Sequence, residues 1–149
     1  MTNMTIQQLL LTATMLAAAL LTPHARAADP EVSLTMRSPQ DNRLRDGGLI
    51  GSIRVTYREP HTEFQVWLEA EKSATAADRY VLTGKNDARN NLKIRLTGEG
   101  WTANANDGQS GLTRQTTDEQ VSVNIVVDGN QETAPDEYVI TANAVAIVP

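Results

Sequence analysis

Few residues in this chain could carry chemistry. Its 149 residues include two histidines, His24 and His61, and no cysteine. That inventory excludes thiolate metal sites, cysteine nucleophiles and histidine clusters. A hydrolytic triad would have to be built on His61, yet no Gly-x-Ser-x-Gly elbow accompanies it. A lone histidine beside the Glu59-Pro60 turn is expected at the surface. Glu69 with Glu71, and Asp136 with Glu137, are paired carboxylates at strand ends and turns, where solvated charge is expected. Nothing in their spacing marks two carboxyls held across a cleft, as glycoside hydrolysis requires. Asn104-Ala105-Asn106-Asp107-Gly108 has the composition of a calcium loop, but the ligand positions of an EF-hand do not align with its glycine. No metal, cofactor or enzymatic activity is therefore expected. Arg45-Asp46-Gly47 is not in the integrin-binding order Arg-Gly-Asp, and an Asp-Gly pair before a strand predicts a turn. Trp67 lies between Val66 and Leu68 and so faces away from Phe64. It either packs under a loop or a second sheet, or stands exposed as an interface anchor.

The elements that must position these side chains begin with a leader. Leu9 to Leu21 is an apolar stretch closed by Pro23 and followed by Ala25-Arg26-Ala27, a small-x-small cleavage pattern. At about 13 residues it falls short of the ~20 needed to cross a bilayer. Residues 1–27 thus read as a secretory signal peptide, although residues 1–8 carry no Lys or Arg, and residues 28–149 as the mature domain. Loss of Arg26 leaves 12 basic against 18 acidic side chains, a net charge of −6. That sign argues against nucleic acid and anionic lipid as partners. The remaining 122 residues suffice for one domain with a single core, completed by packing without a covalent staple.

Apolar and polar residues alternate along most of that domain, the period of half-buried strands. Val32, Leu34 and Met36 form one row, and Leu49, Gly51, Ile53, Val55 and Tyr57 another, with Ser52, Arg54 and Thr56 facing solvent. Phe64, Val66 and Leu68 form a third, Leu92, Ile94 and Leu96 a fourth, and Val121, Val123, Ile125 and Val127 a fifth. The last row is Tyr138, Ile140, Ala142, Ala144, Ala146 and Val148, and Tyr80 to Leu82 reads as a further edge strand. Turn signals separate the rows at Asp46-Gly47-Gly48, Glu59-Pro60, Gly84 to Asn91, Gly98 to Thr117 and Asp128-Gly129-Asn130. The Ala-, Glu- and Lys-rich segment Glu69 to Asp78 could hold a turn of helix. Six or seven short strands punctuated in this way predict an all-β fold, a sandwich of immunoglobulin type.

The run Arg58-Glu59-Pro60-His61-Thr62-Glu63-Phe64-Gln65-Val66-Trp67 resembles the second-to-third strand signature of the AfaD-type invasins, minor tip subunits of Afa/Dr-like fimbriae. The resemblance extends, in order, to Leu44-Arg45-Asp46-Gly47, Arg79-Tyr80-Val81, Gly98-Glu99-Gly100-Trp101, Glu119-Gln120-Val121, Asp128-Gly129-Asn130-Gln131 and Ala134-Pro135-Asp136-Glu137-Tyr138. It spans residues 44–138 and implies an incomplete immunoglobulin-like β-sandwich lacking its last strand, completed by donor-strand complementation. The implied partners are a major fimbrial subunit that lends its N-terminal strand, a periplasmic chaperone, an outer-membrane usher and a host-cell receptor. The implied location is a fimbrium at the cell surface. Relatives in this family carry a disulfide whose positions correspond to Tyr57 and Ala146, so this chain departs from them by lacking the brace.

The last apolar row runs to Val148-Pro149, leaving no residues for a following strand and so a groove between the first and last strands. Its expected lining is Val32, Leu34 and Met36 from the first strand and Ile140, Ala142, Ala144, Ala146 and Val148 from the last. The three alanines either leave room for large donor side chains or simply face a close-packed opposing sheet. Only Ala28 to Glu31 precede Val32 in the mature domain, so the chain is expected to accept a strand and lend none, at the distal end of a fibre. The alternative to a tip adhesin or invasin is a freestanding periplasmic or secreted β-sandwich binding module, complete without partners. Mass spectrometry of the exported chain is expected to find Ala28 at its N-terminus. Retention of Met1 would contradict the leader.

Overall fold

A computed structural model describes residues 9–13, 26–37, 41–72, 76–104 and 111–149; residues 105–110, with most of the calcium-like loop, lie outside that set. Among the described residues there are fourteen strand segments and no helix. They are β1 Leu9–Ala13, β2 Arg26–Ala28, β3 Glu31–Met36, β4 Arg43–Leu44, β5 Leu49–Thr56, β6 Glu63–Leu68, β7 Glu71–Lys72, β8 Arg79–Thr83, β9 Asn91–Thr97, β10 Thr102–Ala103, β11 Leu112–Gln115, β12 Gln120–Val127, β13 Gln131–Glu132 and β14 Tyr138–Val148. One sheet has the order β1-β14-β6-β11-β10, with β2 also on β14; the other runs β3-β5-β12-β9-β8-β7. A short ribbon pairs β4 with β13.

Because strand side chains alternate between faces, the odd or even set of each strand is apolar and meets its counterpart from the other sheet. Ile53 and Val55, Ile94 and Leu96, and Val123 and Ile125 from one sheet share a buried core with Phe64, Val66, Leu68, Tyr138 and Ile140 from the other. A polar bond crosses between the sheets: the Leu68 backbone N–H on β6 donates to the Tyr80 hydroxyl on β8 at 3.2 Å. The chain changes sheet at Asp29-Pro30, since β2 pairs with β14 and β3 pairs with β5. Pro30 has no N–H to give to either ladder and holds its predecessor extended, so the switch interrupts no hydrogen bond that another residue would make.

Three local expectations are corrected. Leu49 does not join the inward row of β5: it is exposed, and Ile50 is buried in its place. The ladder with β12 passes from Ile125↔Gly51 directly to Val126↔Leu49, so Ile50 is the extra residue of a β-bulge, and a bulge reverses the alternation beyond it. Glu69 to Asp78 opens as strand and not as helix, since Glu71 and Lys72 pair with Val81 and Tyr80; residues 73–75 of that segment lie outside the described residues. The unpaired backbone edge of β8 offers ladder bonds that outweigh the weak helix preference of two residues. The polar stretch Gly98 to Thr117 is not all turn, since it contains β10 and β11, and β11 pairs with β6 from Leu112↔Val66 to Gln115↔Glu63. Leu112 is the single apolar residue of β11, so alternation gives no signal there.

The bulge generates a test that reverses the simple alternation rule. Ile50→Ala is expected to destabilise the full-length chain by about 2–4 kcal/mol, and Leu49→Ala by less than about 0.5 kcal/mol, in thermal or denaturant unfolding. The opposite order would place the bulge elsewhere.

Candidate functional site

The long last strand, β14, is where the expected site residues gather. On its inner face Ile140, Ala142, Ala144 and Ala146 are buried, while Val148 is half-buried at its end. Across the sandwich, Leu34 of β3 is buried and Val32 and Met36 pack half-buried against the core. One edge of β14 belongs to β6, where Ala142, Ala144 and Ala146 stand opposite Leu68, Val66 and Phe64. Each small residue thus has a large neighbour beside it in the same sheet.

The other edge of β14, expected to be unpaired, is occupied by the N-terminal region. Leu9–Ala13 runs parallel to Tyr138–Ala142, residue for residue, and also lies against β3, so it runs between the first and last strands. Arg26–Ala28 runs antiparallel along Ala146, Ile147 and Val148. Bare strand edges attract any segment that can supply a ladder, and here the supplier lies in the same chain. Neither of these segments pairs with Asn143 to Val145. Asn143 is fully buried on the outer face of β14, opposite Trp67, and neither atom of its amide has a hydrogen-bond partner. An unsatisfied buried amide costs about 1–3 kcal/mol.

Three clamps fix β14 and its surroundings. The first is His61, which is buried, not at the surface as expected. Its Nδ1 faces the Glu59 carbonyl oxygen at 2.8 Å and its Nε2 that of Asp118 at 2.7 Å. The ring lies 4.5 Å from that of Phe64, with Tyr57 edge-on at 5.7 Å. Each ring nitrogen faces a backbone carbonyl, which can only accept, so the ring is held between two main-chain oxygens and neither nitrogen is open to serve as a base. The histidine ties the β5–β6 turn to the connection before β12, and the Thr62 N–H donates to the Ile147 carbonyl at 2.8 Å, securing the end of β14. Tyr57 and Ala146 are linked through this stack, since Phe64 is the register partner of Ala146.

The second clamp joins three of the motif blocks. Arg95 reaches Asp46 at 2.6 Å and Asp128 at 3.3 Å, and Arg79 reaches Asp128 at 3.3 Å. The Gly129 N–H donates to the Asp46 carboxylate and the Asp46 N–H to the Asn130 side-chain oxygen, both at 2.8 Å. The hydrogen bond from Arg95, then that from Gly129, lowers the Asp46 carboxyl below its ordinary range. Arg45-Asp46-Gly47 is therefore a turn, with Gly47 at φ +80°. Sequence reasoning did not single out Arg95, because the outward alternate position of an exposed strand carries no signal of a distant partner.

The third clamp, Asp136, sits two residues before β14. Its carboxylate accepts from the backbone N–H groups of Asn86, Asp87 and Glu137 and from the side-chain amides of Asn86 and Asn90, at 2.6–3.1 Å. Gly84 lies so close that an added Cβ would stand 2.6 Å from the Asp136 Cγ. The neighbouring Tyr138 hydroxyl donates to the Ala134 carbonyl at 2.7 Å, and Lys85 pairs with Glu137 at 3.2 Å. Read from sequence as solvated charge, Asp136 is a buried joint between the β8–β9 loop and the start of β14. Trp67 is half-buried, with Gly111, at φ +93°, against it: a Cβ there would stand 2.7 Å from that of Trp67.

Residues 40–144 match the family described as Enterobacteria AfaD invasin protein. Protein AfaD of Escherichia coli is 36% identical over 119 residues, 80% of this chain and 80% of that protein. Among solved structures, the E. coli Hda pilus minor tip subunit HdaB is similar with a TM-score of 0.76 at 25% identity, covering 80% of this chain and 84% of that one. The Salmonella SafD adhesin is similar with a TM-score of 0.74 at 30% identity, covering 78% and 86%.

The Asp136 joint makes stability depend on pH. Burial alone would raise this carboxyl, but the bonds from Asn86, Asn90, Glu137 and Asp87 outweigh it and hold the group at about 2, against an ordinary 3.8. A carboxyl depressed on folding stabilises above its unfolded value and loses that contribution as pH falls through its folded one. Asp136→Asn in the full-length chain is thus expected to lower the melting temperature at neutral pH. That deficit should shrink as the pH is taken from about 4 to about 2, in thermal melts followed by circular dichroism. A deficit independent of pH would remove the carboxylate from the account.

Proposed function

The chain belongs to the AfaD invasin family, and from that premise we propose that it is a fimbrial tip subunit that accepts a strand from the next subunit and contributes to adhesion to host cells. The observation that carries this reading is the outer edge of β14. Its only ladder partners among the described residues are Leu9–Ala13 and Arg26–Ala28. Cleavage before Ala28 would remove the first entirely and two residues of the second. An edge facing the vacated slot would remain, with Val32, Leu34 and Met36 on one side and Ile140, Ala142, Ala144, Ala146 and Val148 on the other. A neighbouring subunit's N-terminal extension satisfies both needs of that slot, ladder hydrogen bonds and apolar side chains.

Burying four or five bulky donor side chains contributes on the order of 10 kcal/mol, at ~1.5–3 each. That is comparable with the entire stability of a small domain, about 5–15 kcal/mol. A freestanding sandwich would need its own strand on this edge after processing, which favours the fimbrial reading. In the same reading a periplasmic chaperone covers the slot before assembly, an outer-membrane usher exports the subunit to the cell-surface fimbrium, and the tip surface meets a host-cell receptor. HdaB is a minor tip subunit and SafD an adhesin, in keeping with that position and role.

Ala142→Glu and Ala144→Glu are expected to abolish recovery of the subunit in complex with its chaperone and with the major subunit, because an unpaired charge in the slot costs several kcal/mol. Lys93→Glu, at an exposed position, is expected to leave recovery unchanged. Normal incorporation of the alanine variants would refute the register proposed for the slot.

A further inference from the structure

We infer that in the unprocessed chain the leader is the groove's own occupant, so that an uncut subunit is closed to any incoming strand. Three observations carry this. First, the pairing is continuous: Leu9, Leu10, Leu11, Thr12 and Ala13 match Tyr138 to Ala142 without a skipped position. Second, the same segment lies against β3 of the opposite sheet, so it runs through the slot between first and last strands instead of along an outer surface. Third, the bond expected from the sequence to be cut, Ala27–Ala28, lies inside a paired strand: Ala27 is the register partner of Ile147 and Ala28 of Ala146.

The physical consequences follow from tethering. A segment in the same chain is present at an effective concentration near the mM range, far above that of a partner subunit, and needs no encounter. The ladder of β1 with β14 is parallel, the slightly weaker arrangement, so it holds the slot while tethered and gives it up once cut away. A processing protease must draw the scissile bond into its own cleft as extended chain, and a bond already engaged in β2 is withheld from it. Folding before cleavage therefore yields a chain that resists processing and is closed to assembly. Cleavage before folding yields one that is open. The fold itself keeps uncut subunits out of the fibre.

The pairing stands apart from the proposed function, and only its consequence for assembly rests on that reading. Because the chain has no cysteine, paired cysteines report the pairing directly. In the full-length uncut chain, produced without export, Leu10→Cys with Val139→Cys joins register partners of which Val139 is exposed. Mild oxidation is expected to cross-link this pair at least about tenfold faster than Leu10→Cys with Lys93→Cys, as tethering in register implies. Equal rates would overturn the inference. Leu11→Asp, at the register partner of buried Ile140, provides the second arm. Full-length Leu11→Asp is expected to take up a synthetic peptide copying the N-terminal extension of the major subunit, while the full-length parent does not. Equal uptake by both would overturn the closure of the groove. Fast cross-linking with uptake by neither would uphold the leader pairing and count against strand acceptance instead.

Discussion

An eleven-residue strand with one permanent neighbour is the constraint on which the rest of the molecule depends. β14 is paired along one side by β6, and its inner row is buried, so it cannot be abandoned to solvent without opening the core. Its second edge presents backbone donors and acceptors that must be matched by water, by another segment or by another molecule. In the full chain the match comes from residues 9–13 and 26–28, in opposite directions on the same edge. One edge thus carries a parallel and an antiparallel ladder at once.

On the proposed reading, a strand that exchanges partners on one side has to be held firmly by everything else. Asp136 fixes its start through five hydrogen bonds. The His61 turn holds its end through Thr62 and Ile147. The Asp46, Arg79, Arg95 and Asp128 network locks the turn before β5 to the one after β12. Most of these interactions are at loops, and several are partly exposed, so the ion pairs individually contribute little. Their value lies in geometry: they keep the backbone beside the exchanging edge from moving while its neighbour changes. The motif blocks Leu44 to Gly47, Arg58 to Trp67, Arg79 to Val81, Asp128 to Gln131 and Ala134 to Tyr138 converge on these joints, which assigns them a shared structural task.

Legibility from sequence followed the physics of each element. Rows such as Val121, Val123 and Ile125, or Phe64, Val66 and Leu68, are visible because a two-residue period with one buried face leaves a mark in every position. β11 left none, because Thr113, Arg114 and Gln115 are held by the ladder to β6 and not by burial. The bulge at Ile50 was hidden because the sequence of β5 is compatible with either phase, and only the ladder to β12 selects one. His61 and Asp136 were misread for a common reason. A polar side chain is expected in solvent unless partners are known, and theirs come from Asp118, Asn86 and Asn90, remote in sequence. The inward row of β14 is visible as alternation, whereas the pairing of Leu9–Ala13 with its edge is a parallel ladder that no local pattern encodes.

The absence of cysteine sharpens the dependence on an exchanged strand. A disulfide in a domain of this size contributes about 2–4 kcal/mol, chiefly by restricting the unfolded chain. Tyr57, His61 and Phe64 instead form a ring stack beside Ala146, and aromatic contacts of this kind add about 0.5–1.5 kcal/mol each beyond their burial. Such a stack acts on the folded state alone. An inserted strand, at on the order of 10 kcal/mol, exceeds either contribution several-fold. If the slot is filled by a neighbouring subunit, the strand in it contributes more to folding than a cross-link would. On the proposed reading the subunit's stability is set by its neighbour in the fibre, so a tip that loses its donor loses its fold as well as its place.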